Sequence, residues 1–357
     1  MKYRFDFLIV FMELCTPKLK CFMKNILLVL CLLIGSISGF SQSEPIKIGG
    51  YAQGTSYHIT YFDKENKNYQ EDIEKLLSDF NKSVSLYDTA SIISRVNNNE
   101  KDVILDEYFI MCFNKSMEVS KATDGAFDAT VGPLVKGWGF SFKKKAKMDS
   151  TMVDSLLKFI GYQLVEIKDG KILKKDKRVT LDFNALAQGY SVDLVSKLLE
   201  SKKITDYVVE IGGEVYAKGH KPNGDHWKVG IEKPIDNADG ENPLKAIVKI
   251  ENKALNTSGN YRKFYIENGI RYSHEINPKT GYPAHNSLLS ATLLADDCMT
   301  ADAYATAFMV MGLEKSIKFL SQHHELAAYL IYANKKGDYQ IFESPELKDI
   351  VSEATDE

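Results

Sequence analysis

The chain has 357 residues, 44% of them hydrophobic and 26% charged, with 23 Gly and 9 Pro. This composition excludes a disordered or collagen-like chain and suits one large domain or two lobes sharing a core. The formal charge is −3, and 40 basic against 46 acidic residues remain once residues 1–41 are set aside, so a nucleic-acid partner is not expected.

The first element along the chain is a targeting segment. Met23-Lys24-Asn25 precedes an apolar stretch from Ile26 to Ile34, and small residues then lead through Ser36, Ser38 and Gly39 to Ser41. A basic start, a short apolar core and a small-residue exit describe an export signal, so residues 1–41 read as a signal region starting at Met23 and 42–357 as the mature domain. The apolar stretch is too short to span a bilayer comfortably. Cys31 follows the bulky Leu30, where a lipoprotein signal wants a small residue. Only Cys112 and Cys298 lie beyond the signal; they are too far apart for a metal-site spacing and read as buried thiols.

Strand alternation follows over Thr55–Phe62, then helical spacing over Tyr69–Phe80, Asp106–Ala122 and Met152–Ile160. Gln163–Ile167 and Lys171–Leu173 read as a hairpin about Asp169-Gly170, with a further strand at Val179–Leu181. A helix is expected from Ala187 to Glu200, then strands at Tyr207–Ile211, Val215–Lys218, Trp227–Ile231, Ala246–Ile250, Phe264–Ile266 and Ser287–Leu294. An apolar helix, Met299–Met311, is closed by Gly312, and Ala327–Tyr332 and Tyr339–Phe342 complete the set. Strands in runs broken by single helices predict a mixed α+β fold with largely antiparallel sheets.

No GxxxxGK[ST], HExxH, GxSxG or strand-to-helix GxGxxG pattern is present, which counts against P-loop ATPases, zinc peptidases, α/β-hydrolases and Rossmann oxidoreductases. The junctions between elements carry the candidate chemistry. Asp302 and Thr306 share a helix face and offer two oxygen donors suited to a hard cation such as Mg²⁺. They read equally as a dipole-favoured Asp and a Thr bonded back to a carbonyl. Asp182–Tyr190 runs into a helix start, where unpaired N–H groups favour anions; Asp182 or Asn184 as a simple cap is the alternative. Phe127 and Asp128, in the Gly125–Pro133 loop, could clasp a flat heteroaromatic ring, or Phe127 could be plain core. His274 is either a proton carrier or structural, while His323-His324-Glu325 reads as solvated surface.

In this order the segments resemble the ApbE-type flavin transferases, the FAD:protein FMN transferase family. The matching stretches are Gly54–Tyr57, Ser85–Asp88, Ser91–Asn97, Gly125–Asp128, Asp182–Asp193, Glu210–Glu214, Thr257–Tyr261, His274–Gly281 and Ala301–Thr306. The resemblance implies a bilobed single domain with a deep FAD cleft and Mg²⁺ near the pyrophosphate. It implies metal ligation by the Ala185 carbonyl, Asp302 and Thr306, and His274 as the catalytic acid/base. FAD would be held by Gln53, Tyr87, Ala126, Phe127, Asp128, Asp182, Gln188 and Ile276. The implied reaction cleaves FAD, releases AMP and leaves FMN in phosphoester linkage to a Thr or Ser of an acceptor. That acceptor would be a flavin-carrying subunit of a membrane redox complex, met in the periplasm or at the outer face of the inner membrane. The same residues are open to an FAD pyrophosphatase or to an exported, non-enzymatic flavin-binding protein. Gln53 stands where the family usually has Met, Gln188 where it has Lys, and Asn277 where Asp is commoner. The Gln188 amide can still donate a hydrogen bond.

Overall fold

Inward-facing Tyr57, Ile59 and Tyr61 make the start of the domain a strand pair, β1 (Ile46–Ala52) with β2 (Thr55–Tyr61), turned at Gln53-Gly54, both at positive φ. The computed structural model describes residues 44–140, 148–235, 243–260, 264–267 and 270–354, so the expected export signal lies outside the described residues. Helix α1 (Gln70–Val84) buries Ile73, Leu77 and Phe80. Ser91 caps α2 (Ile92–Asn97), and Asp106 caps α3 (Glu107–Ala122) by accepting from the Phe109 N–H. Next come α4 (Gly132–Gly137) and α5 (Ser150–Leu157); Asp149 caps the latter, so it begins two residues before the expected Met152. The hairpin β3 (Val165–Lys168) and β4 (Lys171–Lys174) turns at Asp169-Gly170, as read from the sequence.

The central part of the chain contains α6 (Ala187–Ser201), β5 (Tyr207–Ile211), β6 (Glu214–Lys218), β7 (Trp227–Glu232), β8 (Leu244–Ile250) and β9 (Lys253–Gly259). A second hairpin, β10 (Phe264–Glu267) with β11 (Ile270–Ser273), precedes β12 (Leu288–Ala295). The last elements are α7 (Cys298–Met311), α8 (Leu313–Leu320), β13 (Ala327–Ala333), β14 (Tyr339–Glu343) and β15 (Val351–Glu353), with Gly312 at φ 77 separating the two helices. The main sheet is eight-stranded and antiparallel throughout, in the order β1-β2-β5-β6-β9-β12-β13-β14. A three-stranded sheet, β15-β8-β7, is not hydrogen-bonded into it but packs on one of its faces.

Both faces of the main sheet are covered where β12 and β13 run. Leu293, Ala328 and Leu330 point into the helical layer with Leu77, Phe109, Val195 and Phe308, whereas Leu294, Tyr329 and Ile331 pack with Trp227, Val248 and Ile250 of the small sheet. Burial on two faces is why these strands read as continuous apolar runs and not as alternation. Helix α7 lies inside the helical layer, with Ala301, Ala303, Ala305 and Ala307 all buried, as expected for a helix apolar on every side. A third cluster joins Leu134, Trp138, Val153 and Ile276. Among the described residues no helix is long and apolar enough to cross a membrane.

One expected strand is replaced by side-chain pairing. Leu181 donates its N–H to Asn97 Oδ1 (2.7 Å) and accepts from Asn97 Nδ2 (2.8 Å), so a single amide side chain mimics a strand partner. Residues 179–181 therefore lie outside any strand ladder.

Candidate functional site

Helices α6 and α7 exchange carboxylates at their N-termini. Asp193 of α6 accepts from the N–H groups of Cys298 (2.7 Å) and Met299 (2.9 Å), two of the donors that open α7. In return, Asp302 Oδ2 of α7 accepts from the N–H of Gly189 (3.0 Å) in the first turn of α6. Gly189 makes this approach possible: a Cβ there would lie 2.5 Å from the Cys298 carbonyl oxygen and 2.9 Å from Asp302 Cβ. Burial pushes both carboxyls up to about 7, with the Asp297 charge adding to the rise at Asp193.

The two carboxylates differ in how they are satisfied. Asp193 holds two N–H groups with its two oxygens, whereas Asp302 engages Gly189 through Oδ2. Thr306 follows one turn along α7, its hydroxyl 3.4 Å from that of Ser258 on β9. Ala185 lies four residues before Gly189. The carboxylate, hydroxyl and carbonyl are all oxygen donors of the kind that hard cations take. A buried carboxylate with its pKa raised by desolvation fits a cation partner, because a cation would restore its charged form.

A cradle of amides adjoins the first turn of α6. Gln53 takes the left-handed φ of 54°, and its Oε1 accepts from Ser191 Oγ (3.2 Å), which also donates to the Gln188 carbonyl (2.6 Å). Gln53 Nε2 is buried without a hydrogen-bond partner among the described residues. Gln188 Nε2 lies against Gly212, where a Cβ would sit 2.0 Å from it and 2.8 Å from Thr55 Cγ2. The departures from the family pattern at positions 53 and 188 thus meet at Ser191, and Gln188 also lies against the turn between β5 and β6.

Asp182 occupies the approach to α6. Its N–H donates to the Ala129 carbonyl (2.7 Å), its Oδ1 accepts from Asn184 N–H (2.9 Å), and burial raises its pKa. Tyr87 is exposed, yet partial burial raises its phenol, with the Asp182 charge adding to the rise. In the adjoining loop, Asp128 is a structural pin: it accepts from Thr130 N–H (2.8 Å), Thr130 Oγ1 (2.6 Å) and Tyr162 N–H (2.7 Å). Burial is the main cause of its raised pKa. The Phe127 ring is buried in the main core, so the ring-clasping reading gives way at Phe127 to the plain-core one; Ala126 lines a surface cavity with Asn277 and Lys279.

His274 sits after β11, its Nδ1 3.4 Å from Glu275 Oε1 and its ring beside Phe140. Glu275 is almost fully buried, and neither of its carboxylate oxygens has a hydrogen-bond partner among the described residues. Ile276 is buried against Leu134 and Trp138, and the Trp138 indole donates to the Gly281 carbonyl (2.8 Å), fixing the turn that follows. The structure therefore brings Gln53, Gln188, Asp302 and Thr306 around the meeting point of α6 and α7, while Ile276 packs with Leu134 and Trp138 and His274 lies beside Phe140, which packs against that cluster. Sequence reading assigned nothing to Asp193 or Asn97. A carboxylate on the buried face of α6, beside Tyr190 and Val192, was the available signal for the first.

A family model described as the ApbE family matches residues 53–330. An FAD:protein FMN transferase of Haemophilus influenzae is 34% identical over 310 residues, covering 83% of this chain and 89% of the relative. A second, from Vibrio cholerae, is 31% identical over 341 residues, covering 92% of this chain and all of the relative. Among solved structures, the flavin transferase ApbE from Vibrio cholerae superposes with a TM-score of 0.77 at 30% identity, covering 86% of this chain and 99% of that one. The ApbE protein from Thermotoga maritima gives 0.75 at 27% identity, with 86% and 99% covered.

Proposed function

The chain belongs to the ApbE family and is an FAD:protein FMN transferase; from that premise we propose a Mg²⁺-assisted reaction at the meeting point of α6 and α7. Asp302, Thr306 and the Ala185 carbonyl would hold the ion, which when bound would offset the negative charge that builds on a pyrophosphate during its cleavage. The observation that carries this reading is Asp302, a buried carboxylate held by the Gly189 N–H with its pKa pushed up to about 7.

The chain's own residues supply binding and proton transfer. Gln53 and Gln188 present amides to the dinucleotide, Gln188 in place of a cation, and the orphaned Gln53 Nε2 is a donor in need of an acceptor. Asp182 and Tyr87 border the nucleotide on the approach to α6, and the backbone of the 126–128 loop and the Ile276 segment flank it further out. With Nδ1 of His274 facing Glu275, Nε2 takes the proton of the incoming Thr or Ser hydroxyl. The hydroxyl oxygen bonds to the FMN phosphorus, the pyrophosphate P–O bond breaks, and AMP leaves with the electron pair.

The acceptor we propose is a flavin-carrying subunit of a membrane redox complex, met in the periplasm or at the outer face of the inner membrane. The support for that compartment is the export-signal pattern that begins at Met23. Mass spectrometry of a candidate acceptor incubated with the protein, FAD and Mg²⁺ tests the reading. One phosphoester-linked FMN on a Thr or Ser is the expected product. Rapid AMP release with an unmodified acceptor would establish hydrolysis instead.

A further inference from the structure

The β6–β7 connection carries two histidines against one glutamate. His220 Nε2 is 3.1 Å and His226 Nδ1 3.6 Å from the same oxygen, Oε2 of Glu251, and the two imidazole centroids are 4.8 Å apart. One ligand atom from each residue lies within 4.8 Å of the others. We propose that His220, His226 and Glu251 form a divalent transition-metal site, best suited to Zn²⁺, separate from the flavin-transfer centre.

Two imidazoles and a carboxylate are a donor set that zinc takes with water in the fourth position. Tetrahedral coordination at about 2.0–2.1 Å needs ligand atoms roughly 3.3 Å apart, so small side-chain rotations close the set. Two imidazoles facing one carboxylate also make a poor plain ion pair. If both rings were protonated, like charges would abut, and an exposed pair contributes only about 0–1 kcal/mol. A metal takes both rings neutral and uses the carboxylate as anion.

The frame that presents these ligands is tied before any metal arrives. The His220 N–H donates to Asp206 Oδ1 (3.0 Å), and Lys221 and Asp225 close the intervening loop through a backbone bond of 2.9 Å. Trp227, next to His226, donates its indole N–H to the Lys218 carbonyl (3.0 Å). Glu251 lies in the β8–β9 turn, whose Asn252 accepts from the Gly219 N–H (3.2 Å). Gly219 is at φ 60, with Asp206 2.2 Å from where a Cβ would be, so the approach of the two turns depends on glycine. A cavity of about 410 Å³ opens beside His226 and Glu251 and leaves solvent a path to the fourth position. A metal here links the end of β6 to the β8–β9 turn, and so joins the main sheet to the small one.

The test uses untagged, metal-stripped protein titrated with ZnCl₂ and, for spectroscopy, CoCl₂. One equivalent of Zn²⁺ should bind at micromolar concentration or below, Co²⁺ should give visible d–d bands displaced by Zn²⁺, and the melting temperature should rise with free Zn²⁺. His226→Ala and Glu251→Gln should each weaken binding about tenfold or more, a scale on which even outer-shell partners act. Both are at partly exposed positions and should leave flavin transfer unchanged, while Asp302→Asn should keep the Co²⁺ bands. No binding at micromolar Zn²⁺, or equal binding by wild type and the His226→Ala/Glu251→Gln double variant, would overturn the proposal.

Discussion

Replacing Asp302 separates its two jobs, holding the first turn of α6 and holding a cation. Asp302→Ala removes the acceptor for the buried Gly189 N–H, and an unsatisfied buried donor costs about 1–3 kcal/mol. Asp302→Asn keeps an oxygen for that N–H and removes only the charge. The carboxyl is pushed up to about 7 in the folded protein from an ordinary 3.8. In the metal-free protein, the stability contributed by the neutral acid is therefore complete below about pH 4 and is lost as pH rises through 7. Metal-free Asp302→Asn should match wild type near pH 4 and be the more stable at pH 8, by an amount on the order of a few kcal/mol. Mg²⁺ should raise wild-type stability at pH 8 and leave the Asn variant unmoved, and flavin transfer by that variant should be abolished. Urea unfolding at the two pH values with and without Mg²⁺, paired with acceptor mass spectrometry, measures all three effects. The reasoning fails if Asn destabilises as much as Ala, if Mg²⁺ protects both proteins equally, or if the Asn variant transfers FMN at full rate.

Other residues give shorter tests. His274→Ala should slow transfer about 10²–10⁴-fold with FAD affinity retained by equilibrium dialysis, and unchanged turnover would remove it as the acid/base. Gly189→Ala places a Cβ 2.5 Å from the Cys298 carbonyl, so thermal unfolding should show a loss of about 1–3 kcal/mol, with transfer falling as α6 and α7 separate. Asn97→Ala breaks both bonds to Leu181, and Asp182 is the next residue; FAD affinity should fall together with stability, and an unaltered FAD titration would show that the approach to α6 is set elsewhere.

Side-chain periodicity carried the fold where burial was one-sided. Tyr57, Ile59 and Tyr61 alternate and form β2, and Ile73, Leu77 and Phe80 recur at helical spacing and form α1. It missed β9, whose Asn256, Thr257 and Ser258 look like loop residues. Those polar groups are satisfied sideways, with Thr257 Oγ1 2.8 Å from Thr292 Oγ1 and Asn256 Oδ1 accepting from Cys298 Sγ at 3.0 Å. β1 escaped for another reason: Gly49 and Gly50 interrupt its pattern, and no Cβ fits at Gly50, because the Tyr57 hydroxyl lies 2.6 Å from that position. At the site, the pairing of Asp302 with Thr306 was legible from helical spacing alone. The partner of Asp302 was not, because Gly189 lies 113 residues away and only the packing of α6 on α7 brings its N–H to the carboxylate.

The exchange of carboxylates between α6 and α7 explains why one buried Asp is a cap and the other a candidate ligand. Both are desolvated, and burial pushes both carboxyls up to about 7. Asp193 meets two successive N–H groups at the start of α7, and the Asp297 carboxylate beside it already caps the same turn through Thr300. Adding a cation there would have to compete with backbone donors on both oxygens. Asp302 meets one N–H, through Oδ2, and has a hydroxyl one turn away on its own helix and the Ala185 carbonyl one turn before its bonded glycine. The same exchange thus yields a carboxylate on α6 with both oxygens on backbone N–H groups and one on α7 that meets such a group through Oδ2. Asp193→Asn should accordingly weaken the start of α7 and lower stability, because one of its two acceptor oxygens becomes a donor facing an N–H. It should leave the Mg²⁺ dependence of the remaining folded enzyme unchanged. If Mg²⁺ protection disappears in Asp193→Asn and persists in Asp302→Asn, the two roles are reversed.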